Sequence, residues 1–95
     1  LQQRLFDPLG MIDTGFTVGL DKAARFAEIY APRKGGGVEP AADQRARTMF
    51  RAEARLKSGG GGLASTVGDY LRFAQMLLNG GELDGVRILS PKTVA

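Results

Sequence analysis

The side chains of this chain that could open a carbonyl are three serines, Ser58, Ser65 and Ser90. A serine attacks only when a base within hydrogen-bond reach takes its proton, and that base is usually a histidine or a buried lysine. The sequence has no histidine. The Ser-x-x-Lys arrangement, which sets a lysine one helical turn beyond the serine, is missing too, because the third residue after each serine is Gly61, Gly68 and Thr93 in turn. Ser65 therefore reads as a helix-start residue and Ser90 as an N-cap, and no residue of the chain is expected to be catalytic. Asp13, Asp21, Asp69 and Asp84 occupy turn or cap positions, with no close carboxylate pair on one face. With cysteine also absent, neither a metal site nor a cofactor is expected.

The other chemical question is the stretch "KSGGGGLASTVGDYLRF", Lys57 to Phe73, with four glycines ahead of a helical pattern. A P-loop needs its lysine and hydroxyl after the glycines; here Lys57 precedes them and Leu63 and Ala64 follow. A dinucleotide fingerprint needs a buried strand in front, and "RAEARLK" is not one. A linker would separate domains, whereas this run enters a capped helix within a few residues. Two readings stay open: backbone brought close to a ligand because no Cβ intervenes, or glycines that allow tight turns against a neighbour.

The elements that would position these residues are read from periodicity. Thr66 and Asp69 have capping-box spacing. Tyr70, Phe73, Ala74, Leu77 and Leu78 form an apolar stripe, and Asn79-Gly80 is a stop signal, which predicts a helix over 67–79. Asp84-Gly85 between short apolar runs predicts a type I′ hairpin over about 82–89, and Ser90-Pro91 opens a helix from 91. Upstream, "LQQRLF" reads as the end of a helix, Asp7-Pro8 as a stop and restart with Asp7 as cap, and Gly10 as a positive-φ terminus. Residues 21–30 fit both helix and strand templates; a helical turn over 21–25 running into extended chain is the favoured form. "APRKGGGVEP" should break whatever precedes it, and 41–57 is either a solvated helix or a draped loop.

With 95 residues the chain can hold one thin core, and 14 glycines and 4 prolines put much of it in turns. Net charge is +3, concentrated between Arg33 and Lys57, where seven basic residues meet three acidic ones. Those arginines are not interleaved with aromatics or carried on a nucleic-acid motif, so a solvated face is expected and no nucleic-acid partner. No apolar run is long enough to span a bilayer and no signal-peptide pattern opens the chain, so no membrane partner is expected. A chain without cysteine suits cytosol and periplasm alike.

The strings "RLFDPLGMIDTGF", "ARFAEIY" and "SGGGGLASTVGDYLRFAQMLLNGGELDGVRILSPKTV" together resemble the serine β-lactamase and penicillin-binding-protein-like superfamily, in particular its class C-like branch of esterases. The resemblance covers nearly the whole chain and is weakest over 33–57. It implies an α+β fold, of which residues 1–95 would be a single partial domain, a mainly helical, loop-rich internal fragment from the mid-region. It also implies hydrolase chemistry on an ester, amide or β-lactam through a serine acyl-enzyme. The family's Ser-x-x-Lys, Tyr-x-Asn and Lys-Thr-Gly or His-x-Gly motifs are absent, and family order places the first two before Leu1 and the last after Ala95. The fragment itself would then be inactive, with the remainder of the parent domain as its partner. One position carries over: Gly61, next to Gly62, corresponds to the residue that faces the substrate's acyl side chain. Lactamases of the family often have an aromatic there, so a glycine implies a roomier cleft wall, as in esterase-like members. The competing expectations are a lactamase-like binding module without catalysis, and a small helical interaction domain that buries the Tyr70–Leu78 stripe within itself or a homodimer.

Overall fold

The computed structural model describes residues 1–41, 57 and 62–95. They divide between two units, one made of Leu1–Gly15 and Ala64–Ala95, the other of Phe16–Leu63. The elements are short helices and two antiparallel hairpins, an α+β composition.

The first unit opens with a π-type turn, Gln2–Phe6, that runs without a break into α1 (Asp7–Leu9). The change of element falls where Asp7-Pro8 predicts it, one turn ending at Phe6 and α1 starting at Asp7, but the N-cap of α1 is Phe6 and not Asp7, whose carboxylate accepts from Gln2 Nε2 at 2.5 Å. Proline is tolerated at the following position because a first-turn residue needs no intrahelical N–H bond. Gly10 ends the turn at φ 66, as its lack of Cβ permits.

The longest helix, α2 (Val67–Leu78), is capped by Thr66, whose hydroxyl accepts the Asp69 amide at 3.2 Å. It ends in a Schellman arrangement: Gly80 N–H donates to Leu77 and Gly81 N–H to Met76, at 3.0 and 2.9 Å. Hairpin strands β3 (Glu82–Leu83) and β4 (Val86–Arg87) follow, with Leu83 opposite Val86. Asp84 and Gly85 have φ of 50° and 78°, the two positive values a type I′ turn requires. Arg87 tightens the pair by donating to Glu82 Oε2 and to the Gly80 and Leu89 carbonyls. Ser90 then caps α3 (Pro91–Val94) through the Thr93 amide.

The core of this unit is Phe6, Leu9, Met11, Met76 and Leu83, with Leu5, Phe73, Leu77, Ile88 and Leu89 packed around it. The buried face of α2 keeps only part of the stripe that periodicity predicts: Phe73 and Leu77 pack against the core, while Tyr70, Ala74 and Leu78 do not. Met76 is fully buried, whereas Tyr70 and Leu78 are 65% and 81% exposed. The face is rotated toward Asp69, because Asp69 and Arg72 are turned inward by hydrogen bonds to other segments, and hydropathy counts both as solvent-facing.

In the second unit a 3-10 turn, Ala23–Arg25, leads into extended chain at Phe26, the favoured form. β1 (Tyr30–Pro32) and β2 (Val38–Pro40) then pair antiparallel, so "APRKGGGVEP" reverses the chain and does not simply terminate an element. Gly35, Gly36 and Gly37, all at positive φ, make the reversal. The ladder bonds fall at Arg33–Gly37 and Ile29–Ala41, which places Pro32 and Pro40 at the alternate pairs, where an antiparallel ribbon asks for no N–H donor. The helix or loop expected over 41–57 lies almost wholly outside the described residues.

Gly81 is the tightest steric point of the first unit: a Cβ built there would lie 2.2 Å from the Leu89 carbonyl oxygen, at φ 100. Gly80 has positive φ but open space. Gly80→Ala should cost about 1 kcal/mol from backbone strain alone. Gly81→Ala should cost more, read as a lower urea midpoint; equal costs would contradict the close approach of Gly81 to Leu89.

Candidate functional site

Thr14, Ser65 and Asp69 meet where the turn after Met11 touches the start of α2. Asp69 is the third residue of that helix, and its amide is spent on the Thr66 cap. In a capping box the side chain at this position folds back to the cap residue's own amide, a reach made by Glu or Gln. Asp is one methylene shorter, and its carboxylate points across to the preceding turn. Asp69 Oδ2 accepts from the Asp13 amide at 2.8 Å and from Thr14 Oγ1 at 2.7 Å. The capping-box reading of Thr66 and Asp69 is thus half right: the hydroxyl caps, and the carboxylate ties two segments together.

The proton arithmetic extends the network. Thr14 has one hydroxyl proton and gives it to Asp69, so in the 2.8 Å contact between Thr14 Oγ1 and Ser65 Oγ the donor is Ser65, whose other acceptor, the Thr66 carbonyl, is farther at 3.4 Å. The neighbouring residues close with main-chain bonds: Gly15 N–H donates to the Ala64 carbonyl at 3.0 Å and Ala64 N–H returns to Gly15 at 2.9 Å. Thr14 and Asp69 are 9% and 6% exposed. The buried carboxylate is offset by its two donors and by the positive end of α2, where an acidic group in the first turn is stabilised. Among the described residues no buried side-chain polar atom lacks a partner.

Arg72, one turn further along α2, makes a second tie. Its Nε donates to the Leu9 carbonyl and its Nη2 to Asp84 Oδ2 at 2.6 Å. The side chains of this ion pair are 39% and 68% exposed, so the charge pairing adds little, and the bond to the Leu9 carbonyl is the structural half.

Gly62 is half-buried and sits two residues before the bridged Ala64; Gly61 and Ser58 lie outside the described residues. Ser65 is exposed and serves the Thr14 contact; Ser90 is an exposed N-cap. Asp84 takes the left-handed turn position and accepts from Arg72, while Asp13 contributes its amide to Asp69. The Thr14–Ser65–Asp69 cluster was missed because Ser65 and Asp69 have complete local explanations, as helix start and cap, and Thr14 carries no signal of its own. The one signal was Asp where a capping box asks for Glu or Gln.

The sequence model of the Beta-lactamase family matches residues 1–94, and the chain belongs to that family. Two curated relatives from Mycobacterium tuberculosis are similar to it: the uncharacterized protein MT1414 of strain CDC 1551 / Oshkosh and protein Rv1367c of strain ATCC 25618 / H37Rv. Each is 40% identical over 99 residues, a match that covers 99% of this chain and 23% of the relative. The chain thus spans about a quarter of the length of the curated relatives it matches.

Removing the acceptor at 69 should strand two donors. Asp69→Ala is expected to cost about 3 kcal/mol, a stranded buried donor being worth about 1–3 kcal/mol. Asp69→Asn keeps an acceptor oxygen in place and should cost about 1 kcal/mol. Urea unfolding of both variants reads the difference, and equal losses would mean that the carboxylate is not the tie.

Proposed function

We propose that residues 1–95 are the mid-region of a serine-hydrolase domain that acts on an ester, amide or β-lactam through a serine acyl-enzyme. In that reaction the serine oxygen bonds to the carbonyl carbon, a lysine and a tyrosine handle its proton, and the leaving group departs. Water then attacks the acyl-enzyme and releases the acid. Backbone amides stabilise the oxyanion of each tetrahedral intermediate. All of these groups would come from the rest of the domain. This chain would supply scaffold, and at Gly61 and Gly62 a side-chain-free piece of cleft wall beside the acyl group.

The observation that carries this reading is the family match over 1–94 in a chain without a histidine or a Ser-x-x-Lys serine. A second observation supports the partner. Val67, Tyr70, Leu71 and Leu78 are all exposed large apolar residues on α2, outside the core that Met76 joins. A helix apolar on two sides is one packed from two sides. The relatives carry about three-quarters of their length beyond the matched segment, ample chain to cover that face. The occupant is the remainder of the same domain.

Two measurements test the proposal. The 95-residue chain alone should not turn over p-nitrophenyl esters, and turnover abolished by Ser58→Ala or Ser65→Ala would overturn this. The isolated chain should also bind a hydrophobic dye that the full-length protein does not bind; equal dye binding would show that the rest of the domain leaves the α2 face open.

A further inference from the structure

We propose that Thr14, Ser65 and Asp69 are positioning residues, a clasp that fixes the chain at the exit of the glycine run and so sets where Gly62 meets the acyl group of the substrate. The proposal rests on the hydrolase reading above. Its physical basis is the connectivity: the segment Phe16–Leu63 leaves the first unit after Gly15 and rejoins it at Ala64, and those two residues form a reciprocal main-chain bridge. A two-bond bridge by itself is weak, each hydrogen bond contributing about 1 kcal/mol net. The clasp reinforces it from one side, with Ser65 donating to Thr14, Thr14 donating to Asp69, and Asp69 also accepting the Asp13 amide.

Every member is held on or against α2, the longest regular element among the described residues, so the helix serves as the fixed reference for Ala64. Gly62 lies two residues from that fixed point, a tether of about 7 Å when fully extended. Packing alone would be met by a valine at 14, which has the shape of threonine. Only the hydroxyl joins Ser65 to Asp69, so the residue type at 14 reports on the network and not on the filled volume.

The test uses the full-length hydrolase carrying these residues, with Thr14→Val, Thr14→Ser and Ser65→Ala, and Met76→Leu as a core control outside the clasp. Kinetics on p-nitrophenyl acetate, butyrate and octanoate are combined with amide hydrogen exchange at Gly15 and Ala64. Thr14→Val should raise KM for octanoate about fivefold, the equivalent of one lost hydrogen bond, with kcat changed less than about twofold and acetate less affected. Exchange at Ala64 and Gly15 should quicken, and Thr14→Ser should restore both readouts. Ser65→Ala should shift KM in the same direction by less. An unchanged chain-length profile in Thr14→Val would overturn the proposal, as would the same shift in Met76→Leu at a matched loss of Tm. If the unaltered protein turned over no ester or lactam while exchange still answered to Thr14→Val, the hydrolase reading would fall and the clasp would stand. Exchange indifferent to Thr14→Val would overturn the clasp itself.

Discussion

The first unit depends on a carboxylate that sits on the wrong side of a helix. Asp69 is in the first turn of α2, where an acidic residue is ordinarily solvent-facing, yet it is buried and receives both the Asp13 amide and the Thr14 hydroxyl. Burying an unpaired charge would be prohibitive. The helix N-terminus and two aimed donors make it tolerable, and the same requirement makes it directional: the turn at 13–15 can dock in one place only. An apolar contact there would attract the turn without fixing its register, because dispersion and burial are non-directional.

That directionality matters because the apolar core is small. Two large side chains, Leu9 and Met76, are fully buried, and three more complete the cluster. A core of this size cannot specify how six short segments meet, so polar ties do part of the work. Asp69 holds the turn after Met11, Arg72 holds the end of α1 through the Leu9 carbonyl, and Arg87 holds the start and finish of the hairpin. The two ties on α2 are three residues apart, hence on one face, and they turn that face inward together with Met76. What remains outside, Tyr70, Leu71 and Leu78, is apolar surface that the first unit has no residues left to cover.

The legible parts of the sequence were those governed by local chemistry. Thr66 and Ser90 cap as their types require, Gly10 and Gly80 close helices at positive φ, and Asp84-Gly85 turns the hairpin. The orientation of α2 was not legible, because it is decided by hydrogen bonds between residues 55 and 56 positions apart, which no window of helical periodicity contains. The reversal at 33–37 was misread for a related reason. Pro32 and Pro40 look like breakers one at a time, and become acceptable only when the register places each at a pair that needs no donor. Of the expected site, Gly62 is described and Gly61 is not, while the residues that anchor the run's exit were legible only as a cap, a turn and a helix start.

This physical picture also explains why two separated strings of the sequence belong together. In "DPLGMIDTG", Leu9 and Met11 enter the core, Gly10 has Arg72 lying against it, and Thr14 and Gly15 face the start of α2 and Ala64. In "LASTVGDYLR", Ala64 bridges, Ser65 donates, Thr66 caps, and Asp69 and Arg72 reach back to the first string. The two strings are the halves of one contact. The threonine and the aspartate are therefore coupled choices: without Thr14 the buried carboxylate keeps the Asp13 amide but loses its hydroxyl donor, and without Asp69 the Thr14 hydroxyl loses its charged acceptor. That coupling holds Ala64, two residues beyond Gly62, against the turn at 13–15 and the start of α2.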